Sequence, residues 1–329
     1  MTGVETTSGR QAFLPNLSEP PRLAPSEDVS EAAIRLSRKQ PANQTAAAIL
    51  GNRLTTVWGL CQEAGDPLAD PEVVHRLRVA TRRSLAAFSL LKPLLPRKQH
   101  RRFVRWLRNL RRAAGTARDL DVIVDRLQHH LPPVADPEST LLKLLNLLGD
   151  YQVASRVPLQ KWHHHLLRSN WAQRVDELTR GLSTKQKCER YGSFVSRRLT
   201  RCGKRFFATA GHSAKRADDL HQIRIEGKRL RYSLELVPTQ SRKSAYDRCL
   251  RSLKKMQVAL GDFTDHTAAA GCFERLREEG LPAELMPLVE ELRREEHLLA
   301  ELAQQRFTIW WNNKRRRRLR RRFSKTLKR

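Results

Sequence analysis

Two stretches of the sequence repeat each other at a constant separation of 146 residues. The segment HRLRVATRRSL begins at His75, and the segment HQIRIEGKRLR begins at His221. The same offset, without gaps, aligns Leu107 with Leu253, Leu110 with Met256, Gly115 with Gly261 and Asp119 with Asp265. A match over more than forty residues predicts that the chain folds as two similar halves. We expect a pseudo-twofold axis to relate them.

The hydrophobic pattern predicts an all-α fold with two similar helical bundles. Apolar residues recur at spacings of three and four, while alternating and β-branched stretches are few. Glycine and proline residues divide this pattern into ten candidate helices, with ends predicted at Gly115 and Gly261. These helices cover residues 45–64, 71–95, 97–114, 117–130, 137–168, 187–210, 215–237, 241–260, 264–279 and 283–313.

Three segments of the chain differ in composition. Residues 1–44 hold five of the sixteen prolines and little periodicity, so we expect them to be mostly disordered, with one short helix over 28–39. The helical domain follows over 45–313, and its repeat halves cover about 45–186 and 187–313. Residues 314–329 contain eleven Lys or Arg and no acidic residue. We interpret them as a flexible basic tail.

The net charge of +29 predicts an acidic partner, which at this point can be nucleic acid, a polyphosphate or an anionic membrane surface. Removing the tail leaves +18, so the excess is spread through the helical body as well. No run reaches the ~18 apolar residues that a membrane span needs, and the N-terminus lacks the pattern of a secretory signal. The five cysteines form no CxxC pair, which disfavours a zinc ribbon or disulfide scaffold and fits reduced thiols in a cytoplasm.

Basic side chains share one face on four of the candidate helices. Residues three or four apart are neighbours on a helix, and like charges there repel by a few tenths of a kcal/mol per pair. By itself, a single basic stripe is typical of a solvated helix face. Its duplication by the repeat favours a bound anion instead. The four stripes are His75, Arg78 and Arg82; Arg101, Arg105, Arg108 and Arg112; His221, Arg224 and Lys228, with Arg231 beside them; and Arg248, Arg251 and Lys255, with Lys254 beside them.

Two aspartates follow the glycines of the repeat. Asp119 and Asp265 are expected in or near the first turn of a new helix, where a carboxylate meets free backbone N–H groups. The favoured interpretation is that each carboxylate caps this helix or orients a nearby arginine. A catalytic or metal-binding carboxylate is the alternative.

These segments resemble the CHAD family, the conserved-histidine α-helical domain. The family pattern is a His-x-x-Arg-x-x-x-Arg-Arg helix, then a Leu-Gly-x-x-Arg-Asp-x-Asp-Val turn, then a weaker copy with Lys-Arg-Leu-Arg-Tyr. Here these motifs occupy residues 75–83, 114–122 and 221–232, and the resemblance covers about 45–313. Ala114 replaces the leucine of the turn, and Thr264 leaves Arg118 without a counterpart in the second half.

The resemblance implies two helical bundles around a basic central channel that binds inorganic polyphosphate. It also implies association with polyphosphate granules. Together with the reduced thiols and the lack of acidic clusters, this leads us to expect a cytoplasmic protein that acts without catalysis, cofactor or metal. A histidine titrating near pH 6.5 would strengthen anion binding as the pH falls. Transferred by position, the anion ligands are His75, Arg78, Arg82, Arg105, Arg108, Arg112, Arg118, His221, Arg224, Lys228, Arg231, Arg251, Lys254 and Lys255.

A nucleic-acid-binding protein is the main alternative. The tail sequence KRRRRLRRR can bind any phosphate backbone non-specifically, and Trp310 and Trp311 lie beside it. No RRM, KH, zinc-finger or helix-turn-helix signature accompanies it. An enzyme is the third class, with His75 as an imagined phosphoacceptor, but no acidic cluster accompanies the basic faces. The consecutive histidines 163–165 point around a helix and do not converge on one metal.

Overall fold

The computed structural model describes residues 36–129, 136, 138–184, 189–211, 216–238 and 243–327. Within these ranges the protein is all-α, as predicted, with two short 3₁₀ turns and no β-strand. The helices are α1 (Ala42–Glu63), α2 (Pro71–Leu91), α3 (Arg97–Gln128), α4 (Thr140–Arg168), α5 (Trp171–Ser183), α6 (Tyr191–Thr209), α7 (Ala217–Leu234), α8 (Lys243–Glu278), α9 (Met286–Trp310) and α10 (Asn313–Leu327).

The first five helices and the last five follow one another in the same order. The starts of α2 and α7, of α3 and α8, and of α4 and α9 are each separated by 146 residues. In the first half, α1 packs on α2 and α5, and α3 packs on α4. In the second half, the corresponding helices make the same contacts: α6 packs on α7 and α10, and α8 packs on α9. A pseudo-twofold relation requires such contacts, but the axis itself stays a prediction.

Both long helices run through the glycines at which the sequence predicted helix ends, so that prediction is wrong. Helix α3 continues through Gly115 and α8 through Gly261. Among the described glycines only Gly280 has a positive φ, so neither of these two adopts the left-handed conformation that ends a helix. A glycine inside a helix costs only about 1 kcal/mol relative to alanine. At 1.5 Å per residue, α3 is therefore about 48 Å long and α8 about 54 Å.

These two long helices connect two hydrophobic cores. The larger core includes Leu54, Phe88 and Leu253 and draws on α1, α2, α6 and α7. The smaller core includes Val124 and Phe273 and lies where the C-terminal halves of α3 and α8 meet the first turns of α4 and α9. Because α3 and α8 contribute to both cores, the positions of the side chains along them are held at two places.

The basic tail is a docked helix, and its interpretation as a flexible segment is wrong as far as Leu327. Leu319, Phe323 and Thr326 lie on one stripe of α10 and are buried. Phe323 packs where Gly203 of α6 has no side chain: a Cβ there would lie 2.2 Å from the ring. The spacing of the three buried residues of α10, four and then three positions, is helical. It was overlooked in the sequence because arginines and lysines surround them. Helix α5 likewise had no counterpart among the predicted helices.

A fully buried ion pair joins α3 to α4. The Arg156 guanidinium donates two hydrogen bonds to Asp121, at 3.3 and 3.0 Å, and Gln152 donates a third at 3.0 Å. The Asp121 side chain is 0% exposed and that of Arg156 is 4% exposed. Burial raises the pKa of the Asp121 carboxyl, although Arg156 and Gln152 act in the opposite direction. The second aspartate of the Asp-x-Asp motif is therefore structural.

A second buried network joins α3, α8 and α9. The Glu296 carboxylate is paired with the guanidinium of Arg126 and lies 2.6 Å from Nδ1 of His266. Burial raises the pKa of Glu296, but the hydrogen bonds with His266 and Arg126 outweigh it, and the pKa lies below its ordinary value. The ionised carboxylate thus stabilises the packing around the smaller core.

Several further sequence expectations concern the ends and the thiols. Of the segment 1–44 that we expect to be mostly disordered, residues 1–35 lie outside the described residues, as does most of the helix predicted over 28–39. Residues 36–40 are not helical, and α1 begins at Ala42, inside the predicted segment. Cys61, Cys202, Cys249 and Cys272 are free thiols, while Cys188 lies outside the described residues.

Candidate anion-binding site

Arg78 reaches from α2 across to the middle of α3. Its Nη1 atom lies 3.5 Å from the carbonyl oxygen of Ala114 and 3.7 Å from Oδ1 of Asp119. The approach depends on Gly115, because a Cβ at that position would lie 2.9 Å from the same nitrogen. A glycine expected to end a helix therefore makes room for a guanidinium.

Arg78 is surrounded mainly by other cations. Burial, and next the charge of Arg82, lower the pKa of Arg78 to about 10. Asp119 opposes this, while Arg111 and Arg118 add to it. A group with a pKa of about 10 stays charged at neutral pH, so its repulsion from the neighbouring guanidiniums persists in the folded protein.

The cationic surroundings extend along α3. Burial, followed by Arg82, Arg108 and Arg112, lowers the pKa of Arg111. The guanidiniums that interact in this way form one group across two helices, which we name the α2–α3 arginine cluster. Its members are Arg78, Arg82, Arg108, Arg111, Arg112 and Arg118.

Asp119 is the carboxylate that faces Arg78. It lies well inside α3 rather than in a first turn, so the capping part of the favoured interpretation is wrong. The other part of that interpretation, a carboxylate that orients a nearby arginine, fits the contact with Arg78. Burial raises the pKa of Asp119, while Arg78 and Arg275 lower it. Since Arg275 belongs to α8, this carboxylate lies where the two halves of the chain meet.

The second half repeats the ion pair of the first. Nη2 of Arg224 lies 3.7 Å from Oδ1 of Asp265, and both residues follow their counterparts Arg78 and Asp119 by 146 positions. Asp265 also lies inside a long helix, α8, instead of at its start. The two basic motifs of the repeat thus engage the two aspartates in the same way.

The two helices that carry the basic motifs pack directly against each other. Nε of Arg83 on α2 lies 3.2 Å from Glu235, at the end of α7. Arg229 on α7 donates a hydrogen bond of 3.1 Å to Ser89 on α2. Arg83 precedes Arg229 by 146 positions and Ser89 precedes Glu235 by the same number, so the contact is reciprocal. It holds the two motifs beside each other.

The remaining predicted ligands differ in exposure. His75 and Lys228 are half-buried on α2 and α7, and Arg105 is exposed on α3. Arg231 is only 5% exposed, and its guanidinium lies 4.7 Å from the centre of the Tyr232 ring. The structure therefore keeps Arg231 off the open basic surface. The other predicted ligands of the second half are exposed: His221, Arg251, Lys254 and Lys255.

The described part of the chain contains neither a three-residue group of metal ligands nor a membrane-spanning helix. Its histidines, cysteines and carboxylates form no group of three or more that could hold a metal ion. None of its helices combines the length and the hydropathy that crossing a bilayer requires.

A family model, the CHAD domain, matches residues 59–274 of the chain. The chain belongs to the CHAD domain family. The match includes all fourteen predicted ligands, whereas α9 and α10 of this CHAD domain lie beyond it. No curated protein matches the sequence significantly.

Two solved structures share the fold of this CHAD domain. The crystal structure of the CHAD domain from the plant Ricinus communis superposes with a TM-score of 0.68 at 22% identity, covering 83% of this chain and 91% of that chain. PptA from Streptomyces chartreusis gives a TM-score of 0.58 at 15% identity, covering 83% of this chain and 99% of the other. At these identities the likeness shows the fold alone.

Sequence reasoning missed two cations of the site. Arg111 lies directly beside Arg112 in the sequence but off the stripe of α3 that the helical spacing selected. Arg275 falls within no repeated motif, and only the crossing of α3 and α8 brings it to Asp119. The run RNLRR over residues 108–112 was a usable sequence signal for Arg111. No sequence signal pointed to Arg275.

Proposed function

We propose that this CHAD domain binds inorganic polyphosphate through the α2–α3 arginine cluster and the basic residues of α7 and α8, without catalysing a reaction. The observation that carries the proposal is the position of Arg78 among other arginines of this cluster, with Asp119 as the carboxylate that faces it. Burial of Arg78 makes the repulsion from its neighbours costly. A bound polyanion would offset that repulsion along the whole cluster.

The chemistry of the cluster favours a phosphate polymer. A guanidinium forms paired hydrogen bonds with phosphate oxygens and keeps its charge at any physiological pH. A linear polymer with about one charge per phosphate can contact successive arginines along α3, releasing counterions as it does so. Family membership supports the same partner. We further propose that polyphosphate binding associates the protein with polyphosphate granules.

A competition experiment tests the partner. Labelled long-chain polyphosphate is bound to the full chain at fixed salt and displaced by unlabelled polyphosphate or by duplex DNA of equal charge. We expect polyphosphate to compete at least tenfold better, and affinity for it to fall as salt is raised. Equal or better competition by DNA would contradict the proposal and favour the nucleic-acid alternative.

Matched charge reversals test the site. Arg78→Glu with Arg224→Glu changes the two arginines that face the aspartates, while Arg317→Glu with Arg321→Glu makes the same charge change on exposed positions of α10. Substitution is preferable to deleting the tail, because deletion would uncover the core around Phe323. We expect the first pair to weaken polyphosphate binding at least tenfold and the control pair to change it less than threefold.

The reverse ranking would place binding on α10 and refute the site. Melting temperatures measured on both pairs separate lost binding from lost folding. A CHAD domain that stays folded and still binds polyphosphate after the first pair of changes would equally refute it.

A further inference from the structure

A cavity of about 280 Å³ lies between α8, the end of α9 and the start of α10. Its lining combines aromatic, aliphatic and basic side chains. None of the eight lining residues is acidic: Ser252, Lys255, Trp310, Trp311, Arg315, Arg318, Leu319 and Arg322. Six of them lie beyond the region that the family model matches.

Two neighbouring tryptophans, with nearly parallel rings, form an apolar side of the cavity that we name the tryptophan wall. The rings of Trp310 and Trp311 are inclined by 17° with centroids 5.9 Å apart, and Leu319 adds an aliphatic surface. Trp311 is 5% exposed, and its indole Nε1–H has no hydrogen-bond partner among the described residues. A buried donor without an acceptor is costly, so a bound acceptor would stabilise this wall.

The basic side chains surround the wall. The Arg315 guanidinium lies 4.9 Å from the Trp310 ring centre and donates a hydrogen bond of 2.9 Å to the Trp310 carbonyl oxygen. Arg318 and Lys255 are exposed at the rim, and Arg322 donates to Ser252 from the other side. The Arg315 guanidinium thus lies over one face of the Trp310 ring, and a base bound on that face would take its place.

We propose that this cavity binds a free nucleoside phosphate, with the base stacked on Trp310 and the phosphates held by Arg318 and Lys255. Aromatic rings that accept a base, flanked by cations that accept phosphate, are the two components of nucleotide recognition. Inorganic polyphosphate has no apolar surface and gains nothing from the tryptophan wall. The volume of about 280 Å³ lies just below the range of small-molecule pockets, roughly 300–1,000 Å³, which limits the cavity to a single nucleotide.

The nucleotide site is separate from the proposed polyphosphate site. Only Lys255 occurs in both sets of predicted ligands, and Arg78 and Arg224 do not line the cavity. Loss of polyphosphate binding in the Arg78→Glu, Arg224→Glu variant should therefore leave nucleotide binding intact. Each proposal can fail without the other.

Calorimetric titration with ATP, inorganic tripolyphosphate and adenosine tests the proposal, in the full chain carrying Arg78→Glu and Arg224→Glu so that the proposed polyphosphate site does not contribute. We expect ATP to bind at least tenfold tighter than either fragment, because only ATP supplies both the base and the phosphates. Trp310→Leu should lower ATP affinity to that of tripolyphosphate and leave tripolyphosphate unchanged. Trp162→Leu, which removes a tryptophan of α4 outside the cavity, is the matched control and should preserve the difference.

Arg318→Gln provides a second variant at an exposed position, where folding is not at risk. It should weaken ATP and tripolyphosphate together by threefold or more. Equal binding of ATP and tripolyphosphate to the Arg78→Glu, Arg224→Glu chain would overturn the proposal, and so would an unchanged ATP preference after Trp310→Leu in that chain, provided that it stays folded. Tighter, Trp310-dependent binding of a single-stranded oligonucleotide than of ATP would also overturn it, assigning the cavity to nucleic acid.

Discussion

Replacing Gly115 by alanine should make the protein more stable and its polyphosphate binding weaker. Both effects follow from one added methyl group in the middle of α3. In a helix interior alanine is favoured over glycine by about 1 kcal/mol. The new Cβ would, however, stand 2.9 Å from Nη1 of Arg78, where ordinary contact begins at 3.4 Å.

The displacement falls on a flexible side-chain end, so it costs little folding energy. The guanidinium must move by about half an ångström, and its contacts with Ala114 at 3.5 Å and Asp119 at 3.7 Å are already long. A hydrogen bond to a charged group contributes about 1.5–3 kcal/mol. If Gly115→Ala removes part of one such contact between Arg78 and phosphate, polyphosphate should bind roughly three- to tenfold more weakly, since a tenfold change corresponds to about 1.4 kcal/mol.

The repeat provides the control, Gly261→Ala in α8. The nearest atom to a Cβ there is Oδ2 of Asp265, at 3.9 Å, so the substitution keeps the helix-propensity gain without displacing an arginine. We expect both variants to melt about 2 °C higher than wild type, and only Gly115→Ala to lose affinity. Thermal unfolding and fluorescence-anisotropy titration with labelled polyphosphate measure the two quantities. Equal affinities of the two alanine variants would refute the role assigned to Arg78.

Three other predictions concern stability. Asp121→Ala should destabilise the fold by about 3–5 kcal/mol in urea unfolding, because it leaves the buried Arg156 guanidinium without its carboxylate partner. The Asp121→Leu, Arg156→Met double variant should recover most of this loss. An additive loss of stability in the double variant would contradict the pairing. Glu296 is buried, but its hydrogen-bonded partners hold its pKa below the ordinary value. The ionised Glu296 carboxylate therefore stabilises the fold fully above the unfolded pKa of about 4.3, and this stabilisation is lost as the pH falls through the folded pKa. The destabilisation by Glu296→Gln should accordingly shrink toward acid pH, and a penalty that grows on acidification would show the sign to be wrong. Gly203→Leu should expel Phe323 and expose α10 to limited proteolysis, while unchanged cleavage would show that α10 is held by other contacts.

Much of the fold was predictable because helices are encoded locally. Spacings of three and four identified eight of the ten described helices in whole or in part, and the repeat anticipated the equal separations of α2 from α7 and α3 from α8. The two wrongly predicted helix ends, at Gly115 and Gly261, have a common origin. Gly115 and Gly261 carry the residue type of a helix end, but packing over the length of α3 and α8 outweighs one unfavourable residue.

The site was predictable only in part. That Asp119 and Asp265 would each lie near an arginine was expected, but the sequence did not identify the partners as Arg78 and Arg224. The burial of Arg231 against Tyr232 was not foreseen, because the helical spacing placed it beside a basic stripe and says nothing about which neighbour covers it.

The sequence by itself determined the helical class, the duplicated basic motifs and the membership in the CHAD family. These properties depend on residues a few positions apart, or on an offset that can be read along the chain. Only the tertiary structure decided that Arg78 passes over Gly115, that Arg275 reaches Asp119 and that the basic tail docks as α10. Such contacts join segments distant in sequence, and they form where burial of apolar surface outweighs the repulsion between the charges brought together.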